Sequence, residues 1–152
     1  MAYIADLTEC AELAEKNEWV SIGADRGSKE CVAAVKALAI NKVKLMSTSA
    51  WRRGKKVLGN DVLPGTAIAT FPIMLGDGER FRYEGHAAIF VSKTDTTLTV
   101  YHQWAAKPFH KGVISPNCAG RVSNDAEAYY VIELHEEPSE DDPNACRQPI
   151  RR

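Results

Sequence analysis

The sequence predicts an α+β domain, with N-terminal helices packed on a largely antiparallel sheet of about five to six strands. Three observations carry this. Helical periodicity is confined to the first forty or so residues, short β-branched and aromatic runs crowd the chain after residue 65, and turn signals separate those runs.

Asp6 followed by Glu9 resembles a capping box, and Leu7, Cys10, Ala11 and Ala14 recur at helical spacing, which predicts a helix over residues 7–17. IGADRGSKE then reads as a loop ending in an N-cap at Ser28. Val32, Val35 and Leu38, interleaved with alanines, predict a second helix from there to Asn41, with Cys31 one turn in and on the Val35 and Leu38 stripe. The strand candidates are GTAIATF, RFRY, HAAIFVS, TLTVYHQW, HKGVIS and YYVIELH. Asp77-Gly78 before RFRY is a hairpin signature. One domain is expected over residues 1–135, followed by a Pro-rich, charged tail over 136–152.

Composition narrows the function. Nineteen basic against twenty acidic residues leave a formal charge of −1, so no summed field draws the protein to nucleic acid. The longest apolar stretches, 32–40 and 87–91, fall far short of the roughly 20 residues a membrane span needs. Residues 1–20 lack a basic start, an apolar core and a small-residue cleavage site, which predicts no secretory signal peptide. The four cysteines, at 10, 31, 118 and 146, have no CxxC spacing, and no His or acid stands at ligand spacing, so no metal or other cofactor is expected. Cys10 reads as a buried core thiol. Cys118 and Cys146 lie in turn-rich sequence, where they either pair as a disulfide or stay free. His110 and His135 read as surface or strand-end histidines.

Cysteine attacks a carbonyl as thiolate, and the positive end of a helix dipole favours that form. Cys31, near a helix start, is therefore the candidate nucleophile; a buried structural cysteine is the rival reading. His86 opens the apolar strand HAAIFVS at its rim, where an imidazole can lean over the helix end as a base. A third group must fix its tautomer, and TLTVYHQW offers two. Leu98, Val100 and His102 alternate onto one face, making His102 the orienter; a one-residue bulge would exchange its role with that of Gln103. Trp51 and Arg52 begin a basic cluster ending at Lys56, which serves either as a binding site for carboxylates and sugar or as a solvated turn. Asp25, before Cys31, either joins the oxyanion and substrate pocket or makes a local turn.

The order of a Cys at a helix start, Gly-His opening a strand and a polar residue on the next strand resembles the NlpC-type and CHAP amidase superfamily. That resemblance implies a papain-like core, peptide-bond cleavage in bacterial cell walls and no cofactor. Over ECVAAVKAL, TSAWRRGKKVLGN, GTAIATF, GHAAIFVS and YHQWAAKPFHKGVI the chain is similar to the type VI secretion amidase effectors, most nearly their third family. It implies Cys31 as nucleophile, with its own backbone N–H in the oxyanion site, and His86 as base. The third residue falls in YHQW; many relatives have an acid where this chain has His102, and the NlpC-type branch has histidine. It further implies peptidoglycan stem peptides as substrate, cut at the D-Ala to diaminopimelate crosslink, which the resemblance favours, or at the γ-D-Glu to diaminopimelate link within one stem. Synthesis in the cytoplasm, delivery by a secretion machine to a recipient's periplasm, and a cognate immunity protein over the cleft are implied as well. A cysteine amidase or acyltransferase of the same fold without a toxin role, and a catalytically dead wall-binding module, are the alternatives.

Overall fold

The computed structural model describes residues 3–21, 27–39, 47–75, 81–117 and 120–134. Two helices, α1 (Leu7–Ala14) and α2 (Cys31–Leu38), precede eight strands: β1 (Trp51–Lys56), β2 (Ala67–Thr70), β3 (Ile73–Met74), β4 (Phe81–Arg82), β5 (Ala87–Lys93), β6 (Leu98–Trp104), β7 (Lys107–Ile114) and β8 (Tyr129–Leu134). Six of them form one antiparallel sheet in the order β1-β8-β2-β5-β6-β7, and β3 pairs with β4 in a separate ribbon.

The predicted α+β class with helices first and an antiparallel sheet is the observed one. Asp6 caps α1 through its carboxylate, which accepts from the backbone N–H of Thr8 and Glu9. Three boundaries moved. α1 ends at Ala14 rather than residue 17, and α2 starts at Cys31 with Glu30 as its N-cap and ends at Leu38 rather than Asn41, because Ala39 is already extended and bridges Ala5. Ser28 instead accepts the Glu30 N–H in a local hydroxyl turn, so the helix begins later than an N-cap at Ser28 predicts.

Two strands were not announced by the sequence: the two-residue β3 and β1, WRRGKK, the latter expected as a binding cluster or a solvated turn. β1 lies at a sheet edge, where charged side chains discourage pairing with other chains. Its Arg53 guanidinium lies over the rings of Phe81 and Tyr130, 3.4 and 4.8 Å from their centroids.

The sheet is covered on both faces. On one, Val35 and Leu38 of α2 and Cys10 of α1 pack with Ala67, Ala87, Ile89, Tyr101 and Phe109. On the other, Val57, Leu58 and Ala126 pack with Ile68, Ala88, Phe90, Leu98, Val100 and Tyr129. Two-sided burial explains why β2 and the start of β5 read as unbroken apolar runs rather than alternating ones. The hairpin turn at Asp77-Gly78 and the tail 136–152 lie outside the described residues.

Candidate active site

Cys31 is the first residue of α2, so the unpaired amides and positive dipole end of the helix surround its sulfur. The Glu30 side chain does not cap this helix. The start of α2 is held instead from β6: the Gln103 amide, fully buried, donates to the carbonyls of Glu30 (2.8 Å) and Val20 (3.0 Å) and accepts the Val20 N–H (2.7 Å). Half-buried Cys31 Sγ lies 3.5 Å from Tyr83 Oη. Burial, and then the neighbouring Cys31, push the Tyr83 phenol far above its usual range, so Oη keeps its proton beside the sulfur.

His86 stands immediately before β5, in a turn clamped by Thr70 of β2. The Thr70 hydroxyl donates to the Glu84 carbonyl and accepts the His86 N–H (3.1 Å), while the Thr70 N–H donates to the His86 carbonyl (3.0 Å). Gly85 makes this clamp feasible: its φ is +109°, and a Cβ there would lie 2.6 Å from Thr70 Oγ1. From this turn the His86 ring reaches β6, and its Nε2 lies 2.8 Å from His102 Nδ1. Both rings are buried, at 7% and 8% exposure. Burial, reinforced by His110, lowers His86 to about 4; burial, then His86, His110 and Lys107, lowers His102 to about 3. Both imidazoles are neutral near pH 7.

These groups meet in a cavity of about 910 Å³. Glu30 and Cys31 come to it from the helical layer, and His86, His102 and His110 from the sheet; Lys107, Lys111 and Arg121 bring positive charge to its lining. Sγ makes its hydrogen bond to Tyr83, and the His86 Nε2 is committed to His102, which leaves Nδ1 as the ring nitrogen outside that pair. A thiol at a helix start, a neutral imidazole and a second imidazole against the first form an arrangement suited to nucleophilic attack on a carbonyl.

The sheet brings Cys31, His86 and His102 to one cavity and turns Gln103 toward α2, in line with strand alternation. Other residues stand elsewhere than the sequence suggested. Trp51 is a core residue at 3% exposure, edge-on to Tyr83 at 4.9 Å, so it has no open face for a sugar. Arg52 is exposed on β1 and does not line the cavity, because β1 and the β6–β7 edge are at opposite ends of the sheet. His110 is no strand-end surface residue: it is half-buried within β7, opposite His102. Tyr83 and Thr70 were missed, because their roles depend on contacts between distant segments that no local spacing encodes. Asp25, Cys118, Cys146 and His135 lie outside the described residues.

The chain matches the family described as Domesticated amidase effector 2 over residues 1–132. It is 38% identical over 137 residues to the Domesticated amidase effector 2 of Ixodes scapularis, covering 88% of this chain and 90% of that protein. It is 32% identical over 105 residues to the Type VI secretion amidase effector 2 protein of Salmonella typhi, covering 60% of this chain and 77% of that protein. Among solved structures it resembles Type 6 secretion amidase effector 2, with a TM-score of 0.55 and 25% identity over 84% of this chain and 95% of that one. The amidase effectors it matches are thus those numbered 2, not the third family.

Proposed function

The chain belongs to the domesticated amidase effector 2 family, and on that premise we propose that it is a papain-like cysteine amidase of bacterial peptidoglycan, with Cys31 as nucleophile and His86 as base. The observation that carries this reading is the cavity shared by Cys31, at the start of α2, and the bonded pair of neutral histidines.

Substrate entering the cavity brings its amide carbonyl to Sγ, and a bond between thiol and imidazole forms as the complex closes. His86 Nδ1 takes the thiol proton as sulfur attacks. The oxyanion is met by the Cys31 N–H at the helix start, a donor type worth two to three orders of magnitude in rate. His86 then returns the proton to the departing amine, leaving an acyl-enzyme that a water, activated by the same ring, hydrolyses. Every step uses protein side chains, backbone and water. His102 holds the His86 ring in the tautomer the first step needs.

The bond cut is the D-Ala to diaminopimelate crosslink. Both sides of that crosslink carry carboxylates, which suit the Lys107, Lys111 and Arg121 lining. Incubation with a purified crosslinked dimer and, separately, an uncrosslinked stem peptide tests this: cleavage of the dimer alone supports it, and cleavage of the γ-D-Glu to diaminopimelate link in the monomer overturns it.

Delivery has two readings. The Salmonella relative favours export by a secretion machine into a recipient's periplasm, with an immunity protein covering the cavity in producer cells. The longer match to the Ixodes protein favours the same chemistry kept outside that system.

A further inference from the structure

We propose that the turn over residues 83–86 is a single unit that places both the thiol's partner and the base, and that Thr70, through its buried hydroxyl, is the positioning residue that sets it. The consequence for rate rests on the amidase reading; the hold on the His86 ring does not.

β2 and β5 run as a regular antiparallel pair up to Ala69 and Ala87, and just before β5 Gly85 breaks the extended backbone with a φ of +109°. The Thr70 backbone continues the pairing on both sides of the break: its N–H donates to the His86 carbonyl (3.0 Å), and its carbonyl accepts the Glu84 N–H (3.2 Å). One acceptor and one donor of the turn then face the Thr70 side chain, the Glu84 carbonyl and the His86 N–H. A single hydroxyl can serve both. Oγ1 donates to the Glu84 carbonyl and accepts the His86 N–H at 3.1 Å, while the His86 carbonyl, at 3.5 Å, is the more distant acceptor. Chemistry fixes the direction of each bond, because a carbonyl only accepts and an amide N–H only donates. Thr70 is fully buried and His86 nearly so, and a buried amide left unpaired is far less stable than one in water.

The two ends of this turn reach the two halves of the chemistry. At one end Tyr83 Oη lies 3.5 Å from Cys31 Sγ, with its ring held edge-on by Trp51 at 4.9 Å and Phe71 at 6.3 Å. At the other end His86 Nε2 meets His102 at 2.8 Å. Phe71 follows Thr70 in the chain, so two successive residues hold the turn, one at its backbone and one at the Tyr83 ring. Gly85 leaves no room to adjust: a Cβ there would lie 2.6 Å from Thr70 Oγ1 and 3.0 Å from Val122 Cγ2. Without the hydroxyl bonds, the His86 backbone is tied to Thr70 through its carbonyl alone.

The test is a pair of full-chain variants. Thr70→Val keeps the side-chain shape and the backbone pairing and loses the hydroxyl; Thr70→Ser keeps the hydroxyl and loses a methyl. For each, kcat and KM are measured on the crosslinked dimer, and the His86 ring is titrated by proton NMR without substrate. Thr70→Val should lower kcat roughly tenfold to a hundredfold with KM little changed, as misplacement of a reacting group does. Its His86 titration should rise from about 4 toward the ordinary 6.5 as the ring leaves its buried place. Thr70→Ser should recover most of both. Unchanged kcat and titration in Thr70→Val, or a serine variant as impaired as the valine one, overturns the proposal. If Thr70→Val does not fold, the wild type decides: its Thr70 hydroxyl proton should exchange slowly enough to give its own NMR resonance, and exchange at the solvent rate overturns the clamp. A wild type that cleaves nothing, while the variants shift the His86 titration as expected, sinks the amidase reading and leaves the hold on the ring standing.

Discussion

At the scale of single residues, the account turns on a thiol and a pair of imidazoles. Cys31→Ala should remove activity to background while leaving the melting temperature nearly unchanged, since a half-buried sulfur contributes little packing. Tyr83→Phe removes the hydroxyl bonded to Sγ, the donor available to a thiolate there. Hydrogen bonds to charged groups are worth about 1.5–3 kcal/mol, so the alkylation rate of Cys31 by iodoacetamide should fall roughly tenfold; an unchanged rate would show that the hydroxyl does not serve the thiolate. The buried histidines also make stability depend on pH. Above pH 6.5 the His86 ring is neutral whether folded or not and contributes nothing; between 6.5 and about 4 the unfolded chain binds a proton that the folded chain refuses. Stability should therefore drop as pH falls through that window, by about 3 kcal/mol for His86. Urea midpoints compared between the wild type and His86→Gln should show the wild type losing more stability than the variant from pH 7 to pH 4; parallel loss would contradict the depressed pKa.

At the scale of elements, the start of α2 depends on β6. Gln103→Leu leaves the Val20 N–H and the Val20 and Glu30 carbonyls without their buried partner, and should cost about 3 kcal/mol in urea unfolding. A shift below about 1 kcal/mol would mean that water replaces the amide without penalty. The strands β5, β6 and β8 were legible because β-branched and aromatic residues concentrate in them and turns bound them. β1 was not: its stability comes from pairing with β8 and from Arg53 on two aromatic rings, neither of which a local window shows. The alternation Leu98, Val100, His102 carried the face of His102 correctly because β6 keeps its pleat through that stretch. His110 was misread as a surface group, since its neighbour is eight residues away across a hairpin.

At the scale of the whole molecule, the sheet acts as a spacer between two layers. The helical layer brings Cys31 and the strands bring His86 and His102 to one cavity. That division explains how the motif was visible from sequence while its depth was not: a Cys at a helix start and a His at a strand start are local signals, but the cavity and its basic lining arise from β7 and the turn after it. No helix among the described residues is long and apolar enough to cross a membrane. The most direct test of the central claim is digestion of purified peptidoglycan sacculi by the wild type and by Cys31→Ala, with the released muropeptides separated and weighed. The account predicts that crosslinked dimers disappear and monomers accumulate with the wild type only; identical profiles from the two proteins would contradict it.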